Sequence, residues 1–223
     1  MDTNPLHTEI LFNIGPIPIA RSVVTTWAIM AAMVLVCRLG MRGAALEGNR
    51  LQTALEVTVE AITKQLRQIV GRPDAPFIPL LTTLFLFLVC ANLSAVIPGA
   101  KAPTAQLETP AALALVVFLS THYFGVCARG WRAYLEHYTQ PSLLLMPLNV
   151  LAELTRTLSL MVRLFGNMMS HELVLTIIAV LAGLLVPIPF LLLGILIGLI
   201  QAYIFTVLAA VYVGAAAGTI VVE

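Results

Sequence analysis

Charge is what this chain has least of. Only 10% of its 223 residues are Asp, Glu, Lys or Arg, less than half the roughly 25% of an ordinary soluble domain. Apolar side chains make up 60%, and mean hydropathy is +0.97. Too few polar groups exist to cover a water-facing surface, so the composition is that of an integral membrane protein. The twelve basic residues are scattered and balanced to a net charge of +1. They form no stripe that could track a phosphate backbone, which argues against nucleic acid as a partner. Cysteine is equally scarce. Cys37, Cys90 and Cys127 sit in or beside apolar runs without CxxC or metal-ligand spacing, the pattern of small hydrophobes. No Gly-rich phosphate loop, GxSxG or HExxH is present, so the chain carries no recognisable catalytic centre and calls for no cofactor or metal.

Long apolar runs are what it does have. A hydrocarbon layer of about 30 Å needs roughly 20 apolar residues as helix. The first such run is 22–39. It follows a polar stretch with Asp2 and Glu9 rather than a basic leader, and no small-residue cleavage site follows it, so it reads as a retained span. Residues 49–70 are amphipathic, with Leu51, Leu55, Ile62, Leu66 and Ile69 on one helical face and Glu60 and Lys64 at i,i+4 on another. That segment reads as an interfacial helix. A second span covers 77–97, closed by Pro98-Gly99, and a third covers 111–127. After a loop carrying Lys101 and a polar bridge from Arg129 to Pro141, the chain turns apolar again to Val222, interrupted at Pro187 and Pro189.

If the prolines mark a turn, two long helices follow, 142–186 and 188–222. Even their cores, 147–186 and 190–222, are about 60 Å and about 50 Å long at 1.5 Å per residue. Neither stands upright in a 30 Å layer, so both are expected to be steeply inclined. The whole chain, 1–223, is read as a single membrane domain. Its fold class is an all-α integral membrane protein of about five crossings plus one interfacial helix. Eight basic residues (Arg38, Arg42, Arg50, Lys64, Arg67, Arg72, Arg129 and Arg132) fall in the loops on one side, against Arg21 and Lys101 on the other. The positive-inside bias then places the N-terminus outside and the C-terminus in the cytoplasm.

The fourth apolar region holds polar residues at regular steps. Asn149, Glu153, Arg156, Ser159, Arg163, Asn167 and Ser170 recur every three or four positions, which keeps them on one stripe of one helix. An arginine inside a membrane helix costs at least about 2.5–3.5 kcal/mol and is a functional hypothesis by default. Glu172 lies nine residues beyond Arg163, half a turn out of phase at about 100° per residue and about 13.5 Å along the axis. The two are therefore not expected to pair simply. His171 and Glu172 are adjacent titratable groups in an apolar zone, a pattern suited to proton or ion handling. Glu153 and Arg156, at i,i+3, are as readily a structural pair as a functional one. Gln201, the one strongly polar group inside the last helix, is either buried glue or a partner for Arg163 or Asn167.

The stretch LSLMVRLFGNMMSHEL (Leu158 to Leu173) resembles subunit a of the F-type ATP synthase, the membrane stator of the Fo sector. PFIPLLTTLFLFLVCANLSAVIPG (Pro76 to Gly99), PTAQLETPAALAL (Pro103 to Leu115), YLEHYTQP and LLMPLNVLAEL are similar to the same family, so the resemblance covers most of residues 50–213. It implies a non-catalytic subunit of an ion-translocating synthase, in a bacterial plasma (inner) membrane. The partners it implies are the rotating c-ring, the peripheral-stalk subunit b, membrane lipid and the translocated proton or sodium ion.

By resemblance, Arg163 is the essential stator arginine and Asn167 and Glu172 belong to the ion pathway. Gln201 matches the polar residue near that arginine, and Ser159 marks the other half-channel. Asn149, Glu153 and Arg156 either line the inner half-channel or are structural. This chain departs from the family's common pattern at Arg156-Thr157, where many relatives have Arg-Pro. It also has His171 before the acid, where a small residue is common, and Gly194, where some relatives carry a titratable group. We read His171 as taking over that group's proton handling. A stand-alone secondary transporter or channel is the rival reading, but it predicts inverted repeats, and no convincing internal repeat is found.

Overall fold

The structure is a computed structural model, and it describes residues 10–14, 17–41, 50–72, 74–96, 102–134, 146–182 and 186–218. Outside them lie Pro98-Gly99, Lys101, most of the 129–141 bridge, residues 142–145 and 183–185 of the long hairpin, and the last five residues. The fold is built on α1 (Arg21–Met41), α2 (Arg50–Val70), α3 (Ile78–Leu93), α4 (Glu108–Arg129), α5 (Met146–Ala182) and α6 (Pro187–Ala216). Helices α1, α4, α5 and α6 are each long and apolar enough to cross a membrane. Helix α3 is apolar but has 16 residues. At 37 and 30 residues, α5 and α6 extend about 55 Å and about 45 Å, longer than the hydrocarbon layer is thick.

Proline, the residue expected to break helices, starts them here. Pro79 stands in the first turn of α3, Pro110 in that of α4, Pro147 in that of α5, and Pro187 and Pro189 in that of α6. A first-turn N–H has no intrahelical acceptor, so its loss costs nothing, and the ring pre-sets a helical φ. The pair at 187 and 189 therefore lies inside α6 rather than between two helices. The same logic explains why α4 begins at Glu108, three residues before the expected start at 111. Glu108 adds a negative charge in the first turn, where the helix dipole favours it.

A short antiparallel pair of strands, β1 (Ile10–Ile14) and β2 (Ile17–Ala20), precedes α1. A search for apolar helical runs passes over it. Its isoleucine-rich composition is nonetheless that of strands.

Helix α3 packs most extensively on α6, and α4, α5 and α6 pack on one another. Phe77, Leu81 and Leu88 meet Leu160 and Leu164 of α5 and Phe205, Ala209 and Val213 of α6 in one buried cluster. Three alanines of α6 (Ala202, Ala209, Ala210) are fully covered, and such small side chains let helix backbones approach closely. Leu66 and Val70 bring the apolar face of α2 into this cluster, while Glu56, Glu60 and Lys64 of the same helix stay exposed. The three cysteines are unbridged and exposed on α1, α3 and α4.

Arg129, in the last turn of α4, crosses to the end of α6. Its Nη2 donates to the carbonyl of Ala215 at 2.9 Å, a cation at the negative end of the helix dipole. The chain leaves α6 through Gly218 at φ +70°, a left-handed conformation that a side chain disfavours.

Candidate functional site

The long hairpin of α5 and α6 places the polar stripe. Three cross-helix pairs fix its antiparallel alignment: His171 over Gly194, Asn167 against Gln201, and Arg156 over Tyr212. Arg163 stands between the last two, one turn (about 6 Å) from Asn167 and two turns (about 10.5 Å) from Arg156.

Asn167 Nδ2 donates to Gln201 Oε1 at 2.7 Å. Gln201 is only 2% exposed. Its Nε2 is buried and finds no acceptor among the described residues. Of the two partners that sequence suggested for Gln201, the structure brings Asn167 to it.

Arg163 is exposed on α5, with no hydrogen-bond or ion-pair partner among the described residues. Helical phase puts Ser159, Asn167 and Ser170 on its face of α5, whereas the exposed Leu151, Leu154, Leu158 and Val162 lie toward the other side of the same helix. Ser159 and Ser170 are also exposed. Gly166, three residues on from Arg163, has open space where a side chain would begin. A guanidinium thus stands exposed on the polar stripe of a membrane-length helix, with open space beside it at Gly166.

His171 is half-buried, and its Nε2 lies 3.1 Å from the carbonyl oxygen of Phe190. A carbonyl only accepts, so Nε2 carries the hydrogen of this contact. A methyl group at Gly194 would overlap Nε2 and Cε1 of this ring. Glu172 is half-buried beside it, on the far side of α5 from Arg163 as helical phase requires.

Glu153 and Arg156 form an ion pair at 3.8 Å, with the arginine 54% exposed. Its guanidinium also lies 5.8 Å from the centre of the Tyr212 ring, a cation–π contact that ties α5 to α6. Asn149 is half-buried one turn before Glu153.

One buried polar group belongs with these and was not singled out from sequence. Asn92 of α3, 5% exposed, donates from Nδ2 to the carbonyl of Gly198 at 2.8 Å. Its Oδ1 accepts from the hydroxyl of Thr104, which is fully buried, at 2.8 Å. Gly198 is one helical turn from Gln201, so Asn92 anchors the same stretch of α6 that presents the glutamine. The available signal was its isolation as the one amide in an otherwise apolar run. No group of three or more His, Cys, Asp or Glu side chains capable of holding a metal occurs among the described residues.

Fold and site together define a helical, multi-span membrane protein with an arginine on the face of a long two-helix hairpin. The chain matches the ATP synthase A chain family over residues 23–214, and it belongs to that family. It is 54% identical to ATP synthase subunit a 2 of a Bradyrhizobium species over 220 residues, 99% of each chain. It is 46% identical to ATP synthase subunit a 2 of Pelobacter propionicus, over 94% of this chain and 92% of the relative. It is 41% identical to ATP synthase subunit a of Legionella pneumophila, over 91% and 88% respectively.

Proposed function

We propose that this chain is the stator subunit of a rotary F-type ATP synthase, non-catalytic by itself, and that Arg163 is its fixed coupling charge. The observation that carries the reading is the placement of Arg163, exposed on the polar stripe of a membrane-length helix with no partner among the described residues. An arginine facing lipid alone would be costly. A carboxylate on an adjoining rotor, the c-ring, would remove that cost whenever it passes ionised. The guanidinium stays protonated at any physiological pH, so it acts as a barrier and not as a proton carrier.

Ions then need two offset half-channels, one on each side of Arg163. Glu172, His171, Asn167 and Gln201 lie toward one end of the hairpin and constitute the outer entry. Ser159 lies toward the other end, with Asn149, Glu153 and Arg156 beyond it at the inner exit. The adjacency of His171 and Glu172 suits a proton as the coupling ion, with sodium as the alternative. Each charge carried is worth about 2.3 kcal/mol per 100 mV, energy that an open path past Arg163 would dissipate.

The chain forms a single membrane domain in a bacterial inner membrane, with its N-terminus outside and C-terminus in the cytoplasm. Helix α2 lies along the membrane surface, and a peripheral-stalk subunit b holds the stator in place.

The deciding experiment is ATP-driven acidification of inverted membrane vesicles, wild type beside Arg163→Ala, with assembly checked by co-purification. Loss of pumping in an assembled mutant supports Arg163 as the coupling charge. Unchanged pumping overturns the stator mechanism, and absence of acidification in wild type directs the test to sodium.

A further inference from the structure

Two polar contacts between α5 and α6 bracket the level of Arg163. One is the bond from Asn167 to Gln201, and the other is the Arg156 guanidinium over the Tyr212 ring. On both helices the two levels are eleven residues apart, which is three turns and about 16 Å. Three turns return to the same face, so both contacts lie on one seam of the hairpin. Between them the seam is apolar. Leu160 and Leu164 fill it from α5, Phe205 and Ala209 fill it from α6, and each is 2% exposed or less. Leu81 and Leu88 of α3 belong to the same buried cluster. Thr206, beside Phe205, is buried as well, and its hydroxyl donates to the carbonyl of Ala202 at 2.9 Å.

This layer meets a need that Arg163 does not. Arg163 stands at the same depth but is exposed, and its side chain leaves α5 about 100° round from that of Leu164. Its fixed charge guards the exposed face of the hairpin and not the seam behind it. A proton crossing the seam would need water, and a water inside a protein takes about three polar partners. The four apolar side chains supply none, and a bare charge among them is prohibitively costly.

We propose that Phe205, packed with Leu160, Leu164 and Ala209, is the internal seal of the ion path. It keeps the outer and inner half-channels apart within this chain, as Arg163 does on the rotor side. This role rests on the reading of two half-channels offset about Arg163.

The test uses vesicles holding the assembled complex, with the rotor carboxylates blocked by a carbodiimide so that the c-ring carries nothing. A potassium diffusion potential then drives protons, and a pH-sensitive dye inside the vesicles reports their passage. Wild type and Phe205→Leu, which keeps the layer apolar, are expected to show only the rate of protein-free vesicles. Phe205→Ser and Leu164→Ser should each raise that rate several-fold with Arg163 still in place. Background rates in both assembled serine variants overturn the proposal, and so does a leak in Phe205→Leu as large as in Phe205→Ser. The wild-type complex supplies a reading that needs no variant. Hydroxyl radicals made from water by X-ray radiolysis should label Tyr212 several-fold more than Phe205, Leu160 or Leu164, relative to their intrinsic reactivities. Equal labelling overturns the seal. Failure of the half-channel reading itself shows separately, as unchanged pumping in Arg163→Ala.

Discussion

The imidazole of His171 occupies the space that a side chain at Gly194 would fill. The ring projects from α5 across the hairpin, bonds to the carbonyl of Phe190 on α6, and lies directly over the Gly194 backbone. A glycine on one helix and a large titratable residue on the other are therefore two halves of one packing solution. Either helix could supply the imidazole to this volume, but both could not do so at once.

That relationship predicts the behaviour of Gly194→Ala. The added methyl group must displace the ring and break its bond to Phe190, while the helix itself gains up to about 1 kcal/mol from replacing glycine. Stability should change little, and ATP-driven pumping should fall several-fold. Moving the imidazole, with His171→Gly and Gly194→His together, should restore part of the pumping that His171→Gly alone removes. No recovery in a fully assembled double mutant would mean that the position of the ring, and not its presence in that volume, is what counts.

Gly166 yields a prediction of the opposite kind. Nothing among the described residues occupies the space where its side chain would begin, so Gly166→Ala meets no internal obstacle and should leave thermal stability equal or slightly higher. If the α5 face beside Arg163 receives the rotor, the same substitution should reduce co-purification of the c-ring or abolish coupled pumping. A stable variant that assembles and pumps normally would move the rotor contact elsewhere.

What was readable in the sequence follows from how local each feature is. Helical spacing is a property of neighbouring residues, so the stripe from Asn149 to Ser170 could be placed on one helix without any structure. The excess length of α5 and α6 needed only counting. Pairings across helices are not local. The Asn92 bond to Gly198 joins residues 106 apart, and nothing in either neighbourhood specifies the other. The prolines at 187 and 189 mark the break between the two long helices but sit in the first turn of the second, for a physical reason. The missing N–H that breaks a helix in mid-course is harmless in its first turn, and spacing alone does not tell the two situations apart.

Asn92 should be a stability residue first. Asn92→Leu removes the donor to Gly198 and the acceptor for the buried Thr104 hydroxyl. Each buried polar group left unpaired costs about 1–3 kcal/mol. A clear fall in the detergent-solubilised unfolding midpoint is expected, with Thr104→Val costing less because it deletes its own polar group. Gly198→Ala should also destabilise, since its methyl group would stand 3.0 Å from the Asn92 side chain. Unfolding curves unchanged by Asn92→Leu would show that these bonds are not what anchors α6.

Gln201 separates structure from function most sharply. It is nearly fully buried, yet only one end of its amide is satisfied: Oε1 accepts from Asn167, while Nε2 has no acceptor among the described residues. A buried donor without a partner is a liability of about 1–3 kcal/mol. An apolar replacement of similar size removes that liability along with one hydrogen bond, whose net worth is about 1 kcal/mol. The Asn167 amide it would strand is on an exposed residue and can find other partners cheaply. Gln201→Leu is therefore expected to unfold at the same temperature as the wild type or higher, while proton pumping in vesicles drops several-fold. Were Gln201 only glue between α5 and α6, the pattern would invert, with lower stability and normal pumping. A polar group retained where leucine would be at least as stable is retained for what passes it, and measuring both quantities on one variant decides between the two.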